Sequence, residues 1–109
     1  MKAMTEKSET MVNQKYVSLM KLTEKGLLEL GDSAKRREVS EARVAAVGGR
    51  SLAFYAVMGA YDFVQVFEMP DNEAMMRYVL TARRDGHVEP LILPAFDTNM
   101  WGDIIGHFQ

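Results

Sequence analysis

The chain has 109 residues, a formal net charge of -2 at pH 7 and no cysteine. With 48% hydrophobic and 26% charged residues, it has the composition of one small globular domain built around a single core. The weak net charge gives no reason to expect nucleic acid or an anionic membrane as a partner, and the absence of cysteine excludes disulfides and thiolate metal sites.

Residues 1–15 are polar with scattered methionines, and we expect them to form a flexible leader that docks on a neighbouring subunit. They contain no apolar signal core. No apolar run in the rest of the chain approaches the ~20 residues that a membrane-spanning helix needs. We therefore expect a soluble cytoplasmic protein with no membrane partner.

Residues 16–22, YVSLMKL, are predicted to form the first strand. Residues 23–32 include two glycines, which weaken a helix, so a short or broken helical segment is expected there. Ser33 is predicted to be the N-cap of a helix over residues 34–47, which a glycine pair then ends. The inward stripe of this helix is expected to consist mostly of small side chains, namely Val39, Ala42, Ala45 and Ala46.

A hairpin is predicted in the middle of the chain. Residues 50–58 and 62–69 are rich in aromatic and aliphatic side chains that suit strands. Gly59 lies between them and can take a positive φ at no steric cost, as a tight turn needs. Asp62 can hydrogen-bond backbone groups in such a turn. Asp71, which follows the second strand, is predicted to cap the next helix.

That helix is predicted over residues 72–85, with an acidic first turn and two arginines in its last turn that suit the helix dipole. Residues 87–96 are predicted to form a fourth strand, which belongs at a sheet edge because it contains Pro90 and Pro94. The order β-α-β-β-α-β predicts an α+β, ferredoxin-like protomer with a four-stranded antiparallel sheet and two long helices on one face.

Both faces of the predicted sheet are apolar. In the hairpin, one face is predicted to carry Leu52, Phe54, Ala56, Phe63 and Phe67, and the other Ala53, Tyr55, Val57, Val64 and Val66. Helices can cover only one of these faces, so we expect a second copy of the chain, or the tail, to cover the other. The domain is predicted over residues 16–97, and residues 98–109 are predicted to form an amphipathic tail.

A family resemblance follows from features that occur in order between residues 16 and 96. These are YVSLMKLT, Gly26, DSAKR with Arg36, Gly48-Gly49, Tyr55, Gly59, Tyr61-Asp62, Glu68, Pro70-Asp71 and LPAF. The sequence resembles the GYD family of the dimeric α/β-barrel superfamily. The resemblance implies a ferredoxin-like protomer and a sheet-to-sheet homodimer, and it implies no particular reaction. Residues 89–92 are more apolar here than in that family, which implies a more apolar pocket.

Three residues are candidates for catalysis. Asp62 can act as a general base if it is buried, although we favour a role as a backbone cap. Tyr55 can hold a substrate oxygen, or it can be an interface or core tyrosine with a satisfied hydroxyl, which we favour. His87 can take part in proton transfer. His87 and His107 are the only histidines and do not make a metal site, so neither a metal nor another cofactor is expected.

Three further residues are candidates for ligand binding. Arg36 lies with two other cations in the first turn of a helix, where positive charge opposes the dipole. A bound anion would resolve this conflict, and so would a solvated surface with local ion pairs, which we favour. Tyr61 can contact a ligand or belong to the core. Glu68 can be a pocket acid or pair with a basic residue of a helix.

Three functions remain open. The first is binding of a small apolar or aromatic molecule in a cavity between sheet and helices, with cofactor-free oxygenase or isomerase chemistry as an extension by analogy. The second is a non-catalytic oligomeric assembly or regulatory module. The third is an anion or nucleotide sensor that uses Arg36. The sequence does not decide whether the protein is an enzyme.

Overall fold

The computed structural model describes residues 13–108. Their elements, in chain order, are β1 (Gln14–Leu22), α1 (Glu24–Leu28), a 3-10 turn (Leu30–Asp32), α2 (Ser33–Ala46), β2 (Arg50–Ala56), β3 (Phe63–Met69), α3 (Asn72–Asp85), β4 (Val88–Ala95) and α4 (Thr98–Gly106). Most of the predicted leader lies outside the described residues. Its last two residues, Gln14 and Lys15, belong to β1.

The four strands form one sheet in the order β2-β3-β1-β4, with every neighbouring pair antiparallel. This is the ferredoxin-like βαββαβ arrangement, so the predicted fold class is confirmed. Strand β4 lies at an edge, where prolines are tolerated because one side of the strand has no partner. No helix within residues 13–108 is both long enough and apolar enough to cross a membrane.

Helix α3 has the ends that its sequence predicts. The Asp71 carboxylate accepts a hydrogen bond from the Ala74 N–H at 2.9 Å, and Gly86 ends the helix with a φ of 81°. Helix α2 is different, because Ser33 has helical dihedral angles (φ -59°, ψ -42°) and is the first helical residue. The prediction that Ser33 is an N-cap is therefore wrong. The 3-10 turn runs directly into α2, and Asp32 at the N-cap makes no side-chain cap.

The inward stripe predicted for α2 is also wrong. Its alanines and Val39 are exposed, and Val44 is the buried residue of the helix. Alanine buries too little apolar area to orient a helix. The polar residues Ser40 and Arg43 can face inward instead because they find hydrogen-bond partners on α3, Tyr78 and Asp85.

The core lies between the helices and one face of the sheet. It is formed by buried residues from β1, β3 and the two long helices, namely Tyr16, Val44, Phe67, Met69, Ala74, Met75 and Tyr78. Three of their rings pack edge to face, with centroids 6.5 Å apart for Tyr16 and Phe67 and 5.6 Å apart for Phe67 and Tyr78. These contacts place the two long helices on one face, as predicted.

The opposite face of the sheet is apolar, and no helix of residues 13–108 forms a layer on it. We call it the open face, and strand alternation and register assign to it Val17, Leu19, Ala53, Tyr55, Val64, Val66, Leu91 and Leu93. Tyr55 is 63% exposed, Leu91 44% and Leu93 41%. A register shift between Ser51 and Ala53 leaves Leu52 out of the pairing, so strand alternation does not set its face. The folded sheet therefore has apolar side chains on both faces, without the alternation of apolar and polar residues that is typical of a sheet with one solvated face.

The C-terminal helix α4 has its own apolar side chains exposed. Asp97 caps it by accepting a hydrogen bond from the Met100 N–H at 2.9 Å. None of its residues is buried, and Trp101 is 56% and Phe108 84% exposed. The predicted amphipathic tail is therefore a helix whose apolar side chains are not buried by any element of residues 13–108.

Candidate functional site

A cavity of about 90 Å3 lies between the sheet and the two long helices, in the layer where the sequence places any pocket. We call it the sheet–helix pocket. The sheet supplies mainly apolar walls, including Met20, Leu22, Phe54, Phe63 and Pro90. The helices and the loop before β4 supply polar groups, including Arg36, Arg37, Ser40, Arg43, Tyr78, Asp85 and His87. Apolar walls with a few convergent polar groups are the usual make-up of a small-molecule site.

The polar groups on the helix side of the pocket are joined in pairs between α2 and α3. The Ser40 Oγ and the Tyr78 hydroxyl lie 2.5 Å apart, and Arg43 donates to the Asp85 carboxylate at 3.2 Å. Burial raises the pKa of Tyr78. Burial also acts to raise the pKa of Asp85, but the hydrogen bond and charge of Arg43 outweigh it and lower that pKa. Around neutral pH, the Tyr78 hydroxyl is therefore protonated and the Asp85 carboxylate is ionised.

At one side of the pocket, Glu29 joins two of the lining residues. Its carboxylate lies 2.8 Å from His87 Nε2, and its main-chain carbonyl accepts a hydrogen bond from Arg36 at 2.9 Å. The hydrogen bond from His87 lowers the pKa of Glu29, and the nearby charges of His87, Lys25 and Arg36 act in the same direction, whereas desolvation opposes them. Glu29 therefore links α2 to the loop that precedes β4.

The position of His87 depends on a close approach by Gly26. A Cβ on Gly26 would lie 2.2 Å from the His87 carbonyl oxygen, which is too close for any side chain. Thr23 strengthens this contact, since its N–H donates to the same carbonyl at 3.0 Å. The start of α1 is thereby attached to the loop between α3 and β4. The buried His87 Nδ1 has no hydrogen-bond partner among residues 13–108, and its nearest carboxylate oxygen, of Asp85, is 3.7 Å away.

The three arginines of the pocket differ in how their charge is balanced. Arg37 pairs with Glu41 at 2.9 Å, as predicted for a local ion pair, and its guanidinium lies 4.4 Å from the centroid of the Phe54 ring. Arg43 pairs with Asp85 at 3.2 Å. Within the described part of the chain, Arg36 has no carboxylate within 4.0 Å and donates only to a main-chain carbonyl.

Of the six candidate residues that the sequence suggests, Arg36 and His87 line the pocket. Tyr55 lies on the open face, and Tyr61 lies in the connection between β2 and β3. The Asp62 carboxylate accepts a hydrogen bond from the Leu22 N–H at 2.8 Å. The Asp62 side chain therefore caps a backbone N–H, as favoured, but this N–H lies at the end of β1 and not in the turn that contains Asp62.

Glu68 lies on the open-face side of the sheet, paired in register with Lys15. Its side chain is 12% exposed, and its carboxylate lies 3.5 Å from the Lys15 ammonium and 3.3 Å from the Arg50 guanidinium. The predicted ion pair with a basic helix residue is wrong, because both cationic partners belong to strands. Strand pairing places Lys15 and Arg50 next to Glu68, and this pairing cannot be recognised from one sequence alone.

Several pocket residues are not among the candidates that the sequence suggests, above all Ser40, Arg43 and Tyr78. A signal for the first two exists, since Arg36, Ser40 and Arg43 recur at spacings of three and four on one side of α2. A polar stripe of this kind is typical of a solvated helix face. Only the partners on α3 reveal that it faces inward.

Comparisons with known proteins agree with this fold. The chain matches the family model of the GYD domain over residues 16–105. A protein of Thermus thermophilus is 35% identical to the chain over 81 residues, which make up 73% of this chain and 85% of that relative. That relative bears the name "Glutamine synthetase and cystathionine beta-lyase binding protein".

Proposed function

The chain belongs to the GYD-domain family, and we propose that it binds a small apolar or aromatic molecule in the sheet–helix pocket. Because membership of this family implies no particular reaction, the proposal rests on the geometry of the pocket. The observation that carries the proposal is the composition of the pocket, which combines aromatic and aliphatic walls from the sheet with polar and charged groups from the helices. The walls would bury the apolar part of a ligand, and the polar groups would fix its orientation.

The size of the pocket limits the ligand. A cavity of about 90 Å3 is smaller than the ~150 Å3 engineered cavity that holds benzene. An aromatic ring would therefore enter only in part, or the helices would move apart slightly to admit it. A ligand as large as a nucleotide is disfavoured, so Arg36 is better suited to a small anion than to a nucleotide.

The proposal concerns binding and assigns no reaction. Asp62 and Tyr55, which the sequence suggests for catalysis, do not line the pocket within the described residues. His87 does, and its imidazole would be the group to move a proton if a bound ligand reacts. Oxygenase or isomerase chemistry without a cofactor would have to depend on this residue.

The experiment is a 1H–15N NMR titration with benzyl alcohol, a small aromatic probe, at millimolar concentration. We expect saturable shifts in residues that line the pocket. The Ala82→Phe variant, which fills the pocket from α3, should lose them, whereas Ala42→Phe on the exposed side of α2 should keep them. An absence of saturable shifts in the unaltered protein, or shifts that survive Ala82→Phe, would contradict the proposal.

A second function is supported by the open face. We propose that the chain forms a homodimer, or a higher homo-oligomer, through this face. Four strands about 4.8 Å apart and seven residues long span on the order of 400 Å2, which is the size of the largest and often functional apolar patch on a typical protein surface. Positive and negative side chains, Lys15, Glu68 and Arg50, lie together at one end of the sheet. A patch that carries both signs can match its own copy across a two-fold axis.

An oligomer of this kind would suit a regulatory or adaptor module that binds enzymes. The support is the name of the Thermus thermophilus relative, which describes a binding protein for two enzymes. Transferred to this chain, that name suggests one of these two enzymes, or a related enzyme, as the partner. Pull-down with purified glutamine synthetase or cystathionine beta-lyase as bait tests this role, and failure to retain either enzyme would count against it.

A further inference from the structure

We infer that the ligand of the sheet–helix pocket is a small aromatic monocarboxylate whose carboxylate binds Arg36. The inference rests on the proposed binding function and narrows it to one chemical class. It depends on the charge balance of the pocket, on the hydrogen-bonding state of its polar groups and on the composition of its walls.

The charge balance indicates a single negative charge. Among the three pocket arginines, Arg37 is neutralised by Glu41 and Arg43 by Asp85. Arg36 makes no direct ion pair within residues 13–108, because its hydrogen bond goes to the uncharged main-chain carbonyl of Glu29, and the nearby Glu29 carboxylate hydrogen-bonds His87 at 2.8 Å instead. One ligand carboxylate would give Arg36 a direct ion-pair partner. A phosphate monoester carries close to two negative charges at neutral pH and would leave an unbalanced charge beside apolar walls.

Arg36 also has more donors than its one hydrogen bond among residues 13–108 uses. A guanidinium has five N–H donors in a planar fork, and the contact with Glu29 uses one of them at 2.9 Å. The remaining donors can meet both oxygens of a carboxylate, which is the geometry that makes arginine the preferred carboxylate binder. The same hydrogen bond holds the side chain in place before a ligand arrives, which lowers the entropy lost on binding.

Three other polar groups of the pocket, Ser40, Tyr78 and Gln65, compete less well for the carboxylate. Ser40 and Tyr78 hydrogen-bond each other, and the Gln65 amide already donates to Ser51 at 3.2 Å. Their partners leave fewer free donors for an anion. A carboxylate is therefore expected at Arg36 rather than near the Ser40–Tyr78 pair.

The walls of the pocket suit the aromatic part of the ligand. The Phe54 and Phe63 rings lie with centroids 5.4 Å apart, and Met20 and Pro90 add apolar surface from β1 and β4. A third ring can pack against such a pair in an offset or edge-to-face arrangement. Aromatic surface from the sheet and one guanidinium without a direct ion pair among residues 13–108 together match a benzoate-like molecule.

Isothermal titration with benzoate, benzyl alcohol and phenyl phosphate tests the inference. We expect the unaltered protein to bind benzoate at least about tenfold more tightly than benzyl alcohol, in line with hydrogen bonds to charged groups. Arg36→Gln should remove this preference while leaving benzyl alcohol binding within about twofold, because the walls are unchanged. Lys35→Gln, which removes the neighbouring exposed cation, should leave both affinities unchanged.

The outcomes separate the two proposals. Equal binding of benzoate and benzyl alcohol by the unaltered protein would overturn the carboxylate inference and leave the pocket proposal standing. Tighter binding of phenyl phosphate than of benzoate would overturn the assignment of a monoanion. If no probe binds, the proposed function fails along with the inference. The comparison of probes on the unaltered protein does not depend on whether any variant folds.

Discussion

Asp62 shows at the scale of one residue how the fold uses a side chain that the sequence offers for catalysis. Its carboxylate accepts from the Leu22 N–H and its own N–H donates to the Met20 carbonyl, both at 2.8 Å. Its carbonyl accepts from the Val57 N–H at 2.9 Å. Asp62 therefore joins the end of β1 to the connection between β2 and β3, where its function is structural.

The corresponding prediction is that Asp62→Ala lowers the free energy of unfolding by about 2 kcal/mol, because a part-buried N–H loses a charged acceptor. Urea denaturation provides the measurement. Asp103→Ala, at an exposed position of α4, is the matched control and should change stability by less than about 0.5 kcal/mol. Equal stability of Asp62→Ala and the unaltered protein would contradict the structural role.

Gly26 and Gly31 have different surroundings in the fold, although both are predicted simply to weaken the same helical segment. Gly26 is buried against the His87 carbonyl, whereas a Cβ at Gly31 would meet no atom within 4 Å. Gly26→Ala should therefore destabilise the protein by about 3 kcal/mol, since backbone must move to admit the methyl group. Gly31→Ala should be neutral or slightly stabilising, because alanine restricts the unfolded chain. Thermal unfolding of both variants tests this, and similar melting temperatures would refute it.

At the scale of the element, α2 and α3 show that two helices of equal length can be specified differently. Helix α3 has a side-chain cap at Asp71 and a buried face formed by Ala74, Met75 and Tyr78. Helix α2 has no side-chain cap and one buried residue, Val44. Local sequence signals therefore determine α3 well, whereas α2 takes its start from the preceding 3-10 turn and its rotation from contacts with α3.

The difference in capping leads to a prediction. Asp71→Ala should reduce the free energy of unfolding by about 1 kcal/mol, because the Ala74 N–H loses its acceptor. Asp32→Ala at the start of α2 should change it by less than about 0.5 kcal/mol, since Asp32 makes no side-chain cap. Guanidinium denaturation monitored by circular dichroism gives both values. A larger loss for Asp32→Ala than for Asp71→Ala would show that this account of the helix starts is incorrect.

At the scale of the whole molecule, the sheet has one face covered by helices and one apolar face that is open. Leu91 is 44% exposed on the open face, and Leu80 is 58% exposed on α3. If the open face joins two copies, Leu91→Lys would bury an unpaired charge at the interface and should weaken the dimer by at least about tenfold. Leu80→Lys should leave the dimer intact.

Sedimentation equilibrium at micromolar concentration measures the masses of the unaltered protein and both variants. A monomeric unaltered protein would exclude the homodimer. If the Leu91→Lys variant remains dimeric, the interface does not lie on the open face. The next surface to test would then be α4, where Trp101 is exposed. The dimeric α/β barrel and the cytoplasmic location remain predictions from the sequence.

The sequence by itself determined the number, order and type of the elements, the helix over residues 72–85 and the apolar character of both sheet faces. These features follow from local rules: aromatic and aliphatic side chains that suit strands, capping residues at helix starts and glycine at helix ends. Such signals lie within a few residues of one another, so they can be recognised without knowing the partners. The GYD resemblance, confirmed over residues 16–105, adds the topology.

Only the tertiary structure decided which side of α2 faces inward and which residues share the pocket. Arg36 and His87 are candidates from the sequence that do line the pocket. Ser40 and Tyr78 also line it, and their hydrogen bond joins positions 38 residues apart in the chain. The hydrogen bond between Asp62 and Leu22 joins positions 40 residues apart. A polar side chain can be solvated, cap a backbone group or line a cavity. The choice depends on partners brought close by strand pairing and helix packing, and these partners are distant in sequence.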